Sequence, residues 1–251
     1  MIPIKAESPT INAPPVTWLL IGANVAAFAA QLAIPEAQQT DFNDTFALVP
    51  AFLADPGTAV DPGYRPGDFL PLLTSSFMHA GVLHLGLNMW VLWLFGGPLE
   101  DRLGPWRFLS LYLISGVAGG LLHVAANLES MVPTLGASGA VAGILGAYTL
   151  AFPRAKVTVV QPIFFFPLIF QLPAATYTAL WLGIQVLRGL AELGDGGATT
   201  GGIAWWAHIG GFAAGLGLGA VMGGRRGSRW EGRYDEVINR HPPLTRRPRP
   251  R

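Results

Sequence analysis

Apolar residues run through this chain in long blocks, separated by short polar or glycine-rich connections. A helix needs about 20 such residues to cross the hydrocarbon core of a bilayer. Six blocks approach that length: Val16–Ile34, Gly81–Gly97, Trp106–Ala126, Leu135–Phe152, Pro173–Leu190 and Ile203–Met222. A seventh apolar stretch, Val157–Phe170, has only 14 residues and is interrupted by Pro162 and Pro167. It is expected to lie at the membrane surface rather than to cross. The longest connection, Glu36–Ser76, is rich in Asp, Pro and Gly and is expected to hold turns and short helices. The first block resembles a secretory signal, but it runs on through Gln31-Leu32-Ala33-Ile34 past any cleavage point and reads as a span.

Composition strengthens this picture. Only 12% of the 251 residues are charged, against about a quarter in an ordinary soluble domain. The 32 glycines suit helices that pack closely in lipid, and the absence of cysteine removes disulfides and thiolate metal sites. The organisation expected is a short N-terminal segment (1–15), an all-α six-helix membrane domain (16–222) and a basic tail (223–251).

Charge then sets orientation. With six spans both termini share one side, which holds Lys5, Arg102, Arg107, Arg154, Lys156 and a tail of nine arginines against three acids. The other side keeps Arg65 and Arg188. The excess of Lys and Arg places both termini in the cytoplasm. The expected setting is an integral multi-pass protein of a bacterial plasma membrane, with lipid as a partner and no nucleic acid.

Polar side chains inside such spans are costly and mark function. His84 and Asn88 stand near the outer end of the second span, Ser138 near that of the fourth and His208 near that of the sixth. The six-span topology brings all four to one depth. Ser138 lies in Gly136-Ala137-Ser138-Gly139, at a helix N-terminus where free N–H groups and the helix dipole favour negative charge. By itself this segment reads better as a helix-packing motif. His208 lies three residues before Gly211, on the face carrying the Gly211–Gly215 GxxxG pair, so a tightly packed helix would bring its imidazole to a neighbour. A neutral imidazole takes the proton of a serine hydroxyl as general base. His84 and Asn88, four apart, share a face and donate hydrogen bonds. His79 is expected to order the loop entering the second span, and His123 to be structural. No Asp or Glu falls within an assigned span, which argues for a dyad over a Ser-His-Asp triad. No HExxH or phosphate-binding loop is present.

Together these segments resemble the rhomboid family of intramembrane serine proteases. His84-Leu85-Gly86-Leu87-Asn88 resembles the HxxxN segment, and Gly97–Gly104 the turn after it. Gly136-Ala137-Ser138-Gly139 resembles the GxSG nucleophile motif and Ala207-His208-Ile209-Gly210-Gly211 the AHxxG motif. The resemblance implies that Ser138 attacks a peptide bond and His208 serves as base and then acid. It implies an oxyanion held by the Ser138 N–H, His84 and Asn88, with Gly136 leaving room for the substrate backbone. It also implies transmembrane protein substrates, no cofactor and no metal, and a fifth span that moves to admit substrate. Many relatives carry an aromatic residue four positions after the nucleophile, packed on the histidine; here that residue is Ala142. Trp205, Trp206 and Tyr148 are the candidates to replace it. The alternative is an inactive rhomboid-like protein that binds membrane helices, but such proteins usually lack the nucleophile or the base. A transporter would need paired broken helices or intramembrane charges.

Overall fold

The computed structural model describes residues 1–8, 10, 12–55, 69–163, 166–194 and 203–223. Of the expected tail, Gly223 is the last residue of the final helix and residues 224–251 lie outside the described residues, as does Arg65. Among the described residues six helices correspond to the six expected spans: α1 (Pro15–Leu32), α5 (Val82–Leu103), α6 (Pro105–Ala126), the shorter α7 (Ser138–Ala151), α8 (Ala174–Gly194) and α9 (Trp205–Gly223). The described residues of the first connection include three short α-helices, α2 (Gln39–Phe46), α3 (Pro50–Ala54) and α4 (Pro71–Thr74). Among the described residues α1, α5, α6 and α9 are long and apolar enough to cross a membrane. The fold is that of a helical membrane bundle, compatible with six spans.

Two departures have physical causes. α7 has 14 residues, so at about 1.5 Å rise it is about 21 Å long, short of a hydrocarbon core of about 30 Å. Its upward extension is blocked at Gly136, whose φ of 136° lies outside the helical region and whose N–H is donated to the Ser75 carbonyl (2.9 Å). α5 in contrast outruns its assigned span. Gly97–Gly104, expected as a turn, forms its last turns, with Pro98 inside the helix, and the chain reverses only at Gly104 (φ 85°). Carboxylates consequently do occur on these helices, Glu100 and Asp101 on α5 and Glu192 on α8, all beyond the ends of the assigned spans.

Glu100 is buried and serves α1. Its carboxylate accepts the backbone N–H groups of Val16 (2.9 Å) and Thr17 (2.7 Å) and the Thr17 hydroxyl (2.8 Å). It thereby caps free N–H groups at a helix start that has no capping side chain of its own. Asn24 joins α1 to α6 through the Tyr112 hydroxyl (3.3 Å), and Thr149 joins α7 to α8 through Thr178 (2.8 Å).

Residues 157–170, expected as an interfacial segment of an otherwise all-α chain, belong to a small antiparallel sheet. β1 (Ile2–Ala6), β2 (Lys156–Ile163) and β3 (Phe166–Pro173) lie in the order β1-β2-β3. Ile2 pairs with Val160, and Val157 pairs with Leu172. Val157 and Val159 are buried while Phe166, Leu168 and Ile169 are exposed. The two prolines that break a helix here sit opposite one another, Pro162 with Pro167.

The core is organised around α7 and α9. A Cβ on Gly211 would overlap the Gly139 carbonyl, one on Gly215 the Gly143 carbonyl, and one on Gly219 would lie 2.9 Å from Ala147 Cα. The offset is the same at all three levels, so α7 and α9 run parallel with backbones in direct contact. α6 closes on both: a Cβ on Gly119 would meet the Ala207 carbonyl, and one on Gly143 would overlap Ser115.

Candidate active site

The α7–α9 seam determines what stands beside Ser138. Ser138 is the first residue of α7 and is partly buried, and its hydroxyl makes no hydrogen bond among the described residues. The Ala207 carbonyl lies 3.4 Å from the Cβ position of Gly139. In the seam's register His208 stands two residues beyond the level of Ser138, about 3 Å along the axis. Both residues therefore occupy the same end of the same helix pair.

His84, on the first turn of α5, approaches from the other side. The open Cα of Gly136 marks the meeting point: a Cβ there would lie 2.7 Å from His84 Cε1, 2.9 Å from His84 Nε2 and 3.7 Å from Ser138 Oγ. His84 Nδ1 accepts the Ala80 N–H in a long contact of 3.5 Å. A backbone N–H only donates, so the ring proton belongs on Nε2, the nitrogen facing Gly136. Asn88 is buried one turn later and gives one of its two amide hydrogens to the His84 carbonyl (3.1 Å).

His79 lies in the loop entering α5, where its backbone makes the hydrogen bonds and its ring nitrogens make none among the described residues. Its N–H is donated to Gln31 Oε1 (2.9 Å) and its carbonyl accepts from Gln31 Nε2 (3.2 Å), which ties the loop to the end of α1. Its ring is buried edge-on to His84 at 5.2 Å, and burial, then the neighbouring His84, lowers its pKa to about 4. It is neutral near pH 7. His123 pairs with the Thr134 hydroxyl (2.9 Å) and the Asn127 amide (3.3 Å), which holds the connection leading to Ser138.

The surroundings of His208 were only partly legible. Of the three aromatic candidates Trp205 touches the ring, edge-on at 6.4 Å. Tyr148 packs instead on Phe95 and Phe152, and Trp206 lies against Gly189 of α8. The nearest ring is Trp181 of α8, 5.7 Å away and tilted by 35°. One turn further along α8, Gln185 is buried and its Oε1 lies 2.8 Å from His208 Nδ1. Sequence reasoning missed both residues. The available signal was an amide inside an apolar span, one turn after a tryptophan. Among the described residues no group of His, Asp and Glu is arranged to hold a metal ion.

The chain has recognisable relatives. A family model described as the rhomboid domain matches residues 66–225. Over 102 residues the chain is 41% identical to Rhomboid protein 1, mitochondrial, of Saccharomyces cerevisiae, covering 39% of this chain and 28% of that protein. It is 36% identical over 162 residues to RHOMBOID-like protein 4 of Arabidopsis thaliana (64% and 34%). It is 29% identical over 150 residues to the presenilin-associated rhomboid-like protein, mitochondrial, of Homo sapiens (59% and 36%). The matches span about a third or less of the length of most of these relatives.

Proposed function

The chain belongs to the rhomboid family, and from that premise we propose that it is an intramembrane serine endopeptidase acting through Ser138 and His208. The observation that carries this reading is the α7–α9 seam, whose constant register seats His208 at the end of the helix pair where Ser138 begins. The Ser138 oxygen attacks the carbonyl carbon of a peptide bond in or near a transmembrane segment, and its proton passes to His208 Nε2. The oxyanion is met by the Ser138 N–H at the start of α7, by His84 Nε2–H and by the remaining Asn88 amide hydrogen. His208 then returns the proton to the leaving nitrogen, and water repeats the cycle on the acyl-enzyme. Gly136, without a side chain, leaves room for the His84 ring next to Ser138, and its bare backbone is where an extended substrate backbone would approach.

Several features support the membrane setting. Among the described residues four helices are long and apolar enough to span, and α7, with 14 residues, is shorter than they are. The exposed apolar residues of β3 suit contact with lipid. Two of the relatives described above are mitochondrial by name, so the expectation of a bacterial plasma membrane gains nothing from them. The charge distribution argues orientation and not organelle.

The test is cleavage of a reporter transmembrane substrate in detergent or liposomes by wild type, Ser138→Ala and His208→Ala. Wild type cleaves and labels with a fluorophosphonate, and both variants lose cleavage by at least about a thousandfold. Cleavage retained by either folded variant removes that residue from the mechanism. A folded wild type that neither cleaves nor labels is the inactive helix-binding protein.

A further inference from the structure

A base that takes a proton from serine must present a lone pair to it, so one imidazole nitrogen must stay protonated and turned away. The contacts of Gln185 decide which nitrogen that is. Gln185 Nε2 lies 3.3 Å from the Trp181 carbonyl, an atom that only accepts hydrogen bonds. The amide nitrogen is therefore the group on that side, and Oε1 is the group facing His208. Oε1 also only accepts, so the 2.8 Å contact requires the hydrogen to be on His208 Nδ1. Nε2 is then the free lone pair.

We propose that Gln185 is a positioning residue for His208: its amide oxygen accepts the Nδ1 proton and fixes the tautomer and ring orientation in which Nε2 receives the Ser138 proton. This rests on the reading of Ser138 and His208 as nucleophile and base. When the Ser138 oxygen bonds to the substrate carbon, its proton moves to Nε2 and the imidazolium forms, with Nδ1–H still held by Gln185. The Nε2 proton then leaves with the departing amine, and the Nδ1 proton never moves. The neutral amide thus does by orientation part of what a carboxylate does in a triad. Gln185 and Trp181 are one turn apart on α8, so one helix supplies both the acceptor and the ring packed on the imidazole. Trp205 of α9 stands edge-on to the same ring.

The experiment compares wild type, Gln185→Met, Gln185→Glu and Ser138→Ala on the same reporter substrate, with 15N spectra of histidine-labelled protein and His208→Ala to assign the His208 signals. Gln185→Met keeps the length of the side chain and removes the acceptor. It should lower kcat by about 10- to 100-fold, the range seen when a metal-ligating histidine loses its orienting partner, with KM little changed. The His208 Nδ1–H signature of wild type should be lost with it. Gln185→Glu keeps an acceptor oxygen and should restore most of the kcat. A kcat for Gln185→Met within about twofold of wild type, too small a change for a lost orienting bond, would overturn the proposal. So would an Nε2–H tautomer in wild type, a result that stands even where the methionine variant does not fold. Cleavage by Ser138→Ala would sink the underlying reading instead, independently of either Gln185 variant.

Discussion

Gly136 is where a single missing carbon matters most. Its φ of 136° is poorly tolerated by a residue with a Cβ, and that Cβ would stand 2.7 Å from His84 Cε1 and 2.9 Å from Nε2. Both atoms belong to the tip of the imidazole, which turns about its two side-chain torsions, so Gly136→Ala should swing the imidazole away from its place beside Gly136 and Ser138 or turn the backbone that leads into α7. A displacement of about 1 Å at a reacting centre costs up to about a hundredfold in rate. The expected outcome is a fall of at least tenfold in kcat/KM on the reporter substrate, with the helical signal and fluorophosphonate-competent fold kept; a wild-type rate would show that His84 has no part in oxyanion binding. The residues in this corner were legible because each sits in a short motif of small or polar groups inside apolar sequence. Gln185 and Trp181 were not. A hydropathy window absorbs one glutamine in a mainly apolar span of 18 residues, and its partner lies 23 residues away. Only the packing of α8 on α9 reveals the pair.

At the scale of elements the α7–α9 seam carries the site. Gly211 and Gly215 announced one side of it, but the matching row of Gly139, Gly143 and Ala147 became visible only in three dimensions, through the shared offset. Gly215→Ala should force the two backbones apart, because the added Cβ would overlap both the Gly143 carbonyl and Cα, and backbone cannot rotate aside. Overpacking of this kind costs about 1–3 kcal/mol or more. Gly217, on the same helix, has nothing within 4 Å of its Cβ position, so Gly217→Ala serves as the control. Thermal unfolding in detergent should show a clear loss of stability for Gly215→Ala and little change for Gly217→Ala, with activity following. Equal stability for the two would mean that the seam is looser than the register implies. The sheet taught a different lesson. Lys156-Val157-Thr158-Val159 already alternates, and Val157 and Val159 are the buried positions. Its period of two is hidden because the stretch is apolar nearly throughout, and its length and two prolines suit a segment at the membrane surface as well as a strand. Its partner β1 lies some 150 residues earlier, beyond the reach of any local pattern.

For the whole molecule, the element order makes a statement about sides that can be checked directly. α7 begins at Ser138 and ends at Ala151, a few residues before β2, so the sheet lies at the end of α7 opposite the candidate site. β1 brings the N-terminus to that same end, and Trp90 Nε1–H bonded to the Pro3 carbonyl (2.6 Å) fastens it to α5. The connection 127–137, which leads into Ser138, belongs to the other end. The charges agree with this division: Lys5, Arg154 and Lys156 sit by the sheet, and Glu129 is on the 127–137 connection. The chain has no cysteine, so single cysteines can be introduced without a background to remove. Glu7, Arg154 and Glu129 are all exposed and suit replacement. In sealed, oriented vesicles a membrane-impermeant maleimide should label Glu7→Cys and Arg154→Cys from the cytoplasmic side only, and Glu129→Cys from the opposite side only. Labelling of all three from one side would contradict the span assignment and remove the common depth of Ser138 and His208. Labelling with the two sides exchanged would leave the site intact and overturn only the orientation drawn from lysine and arginine.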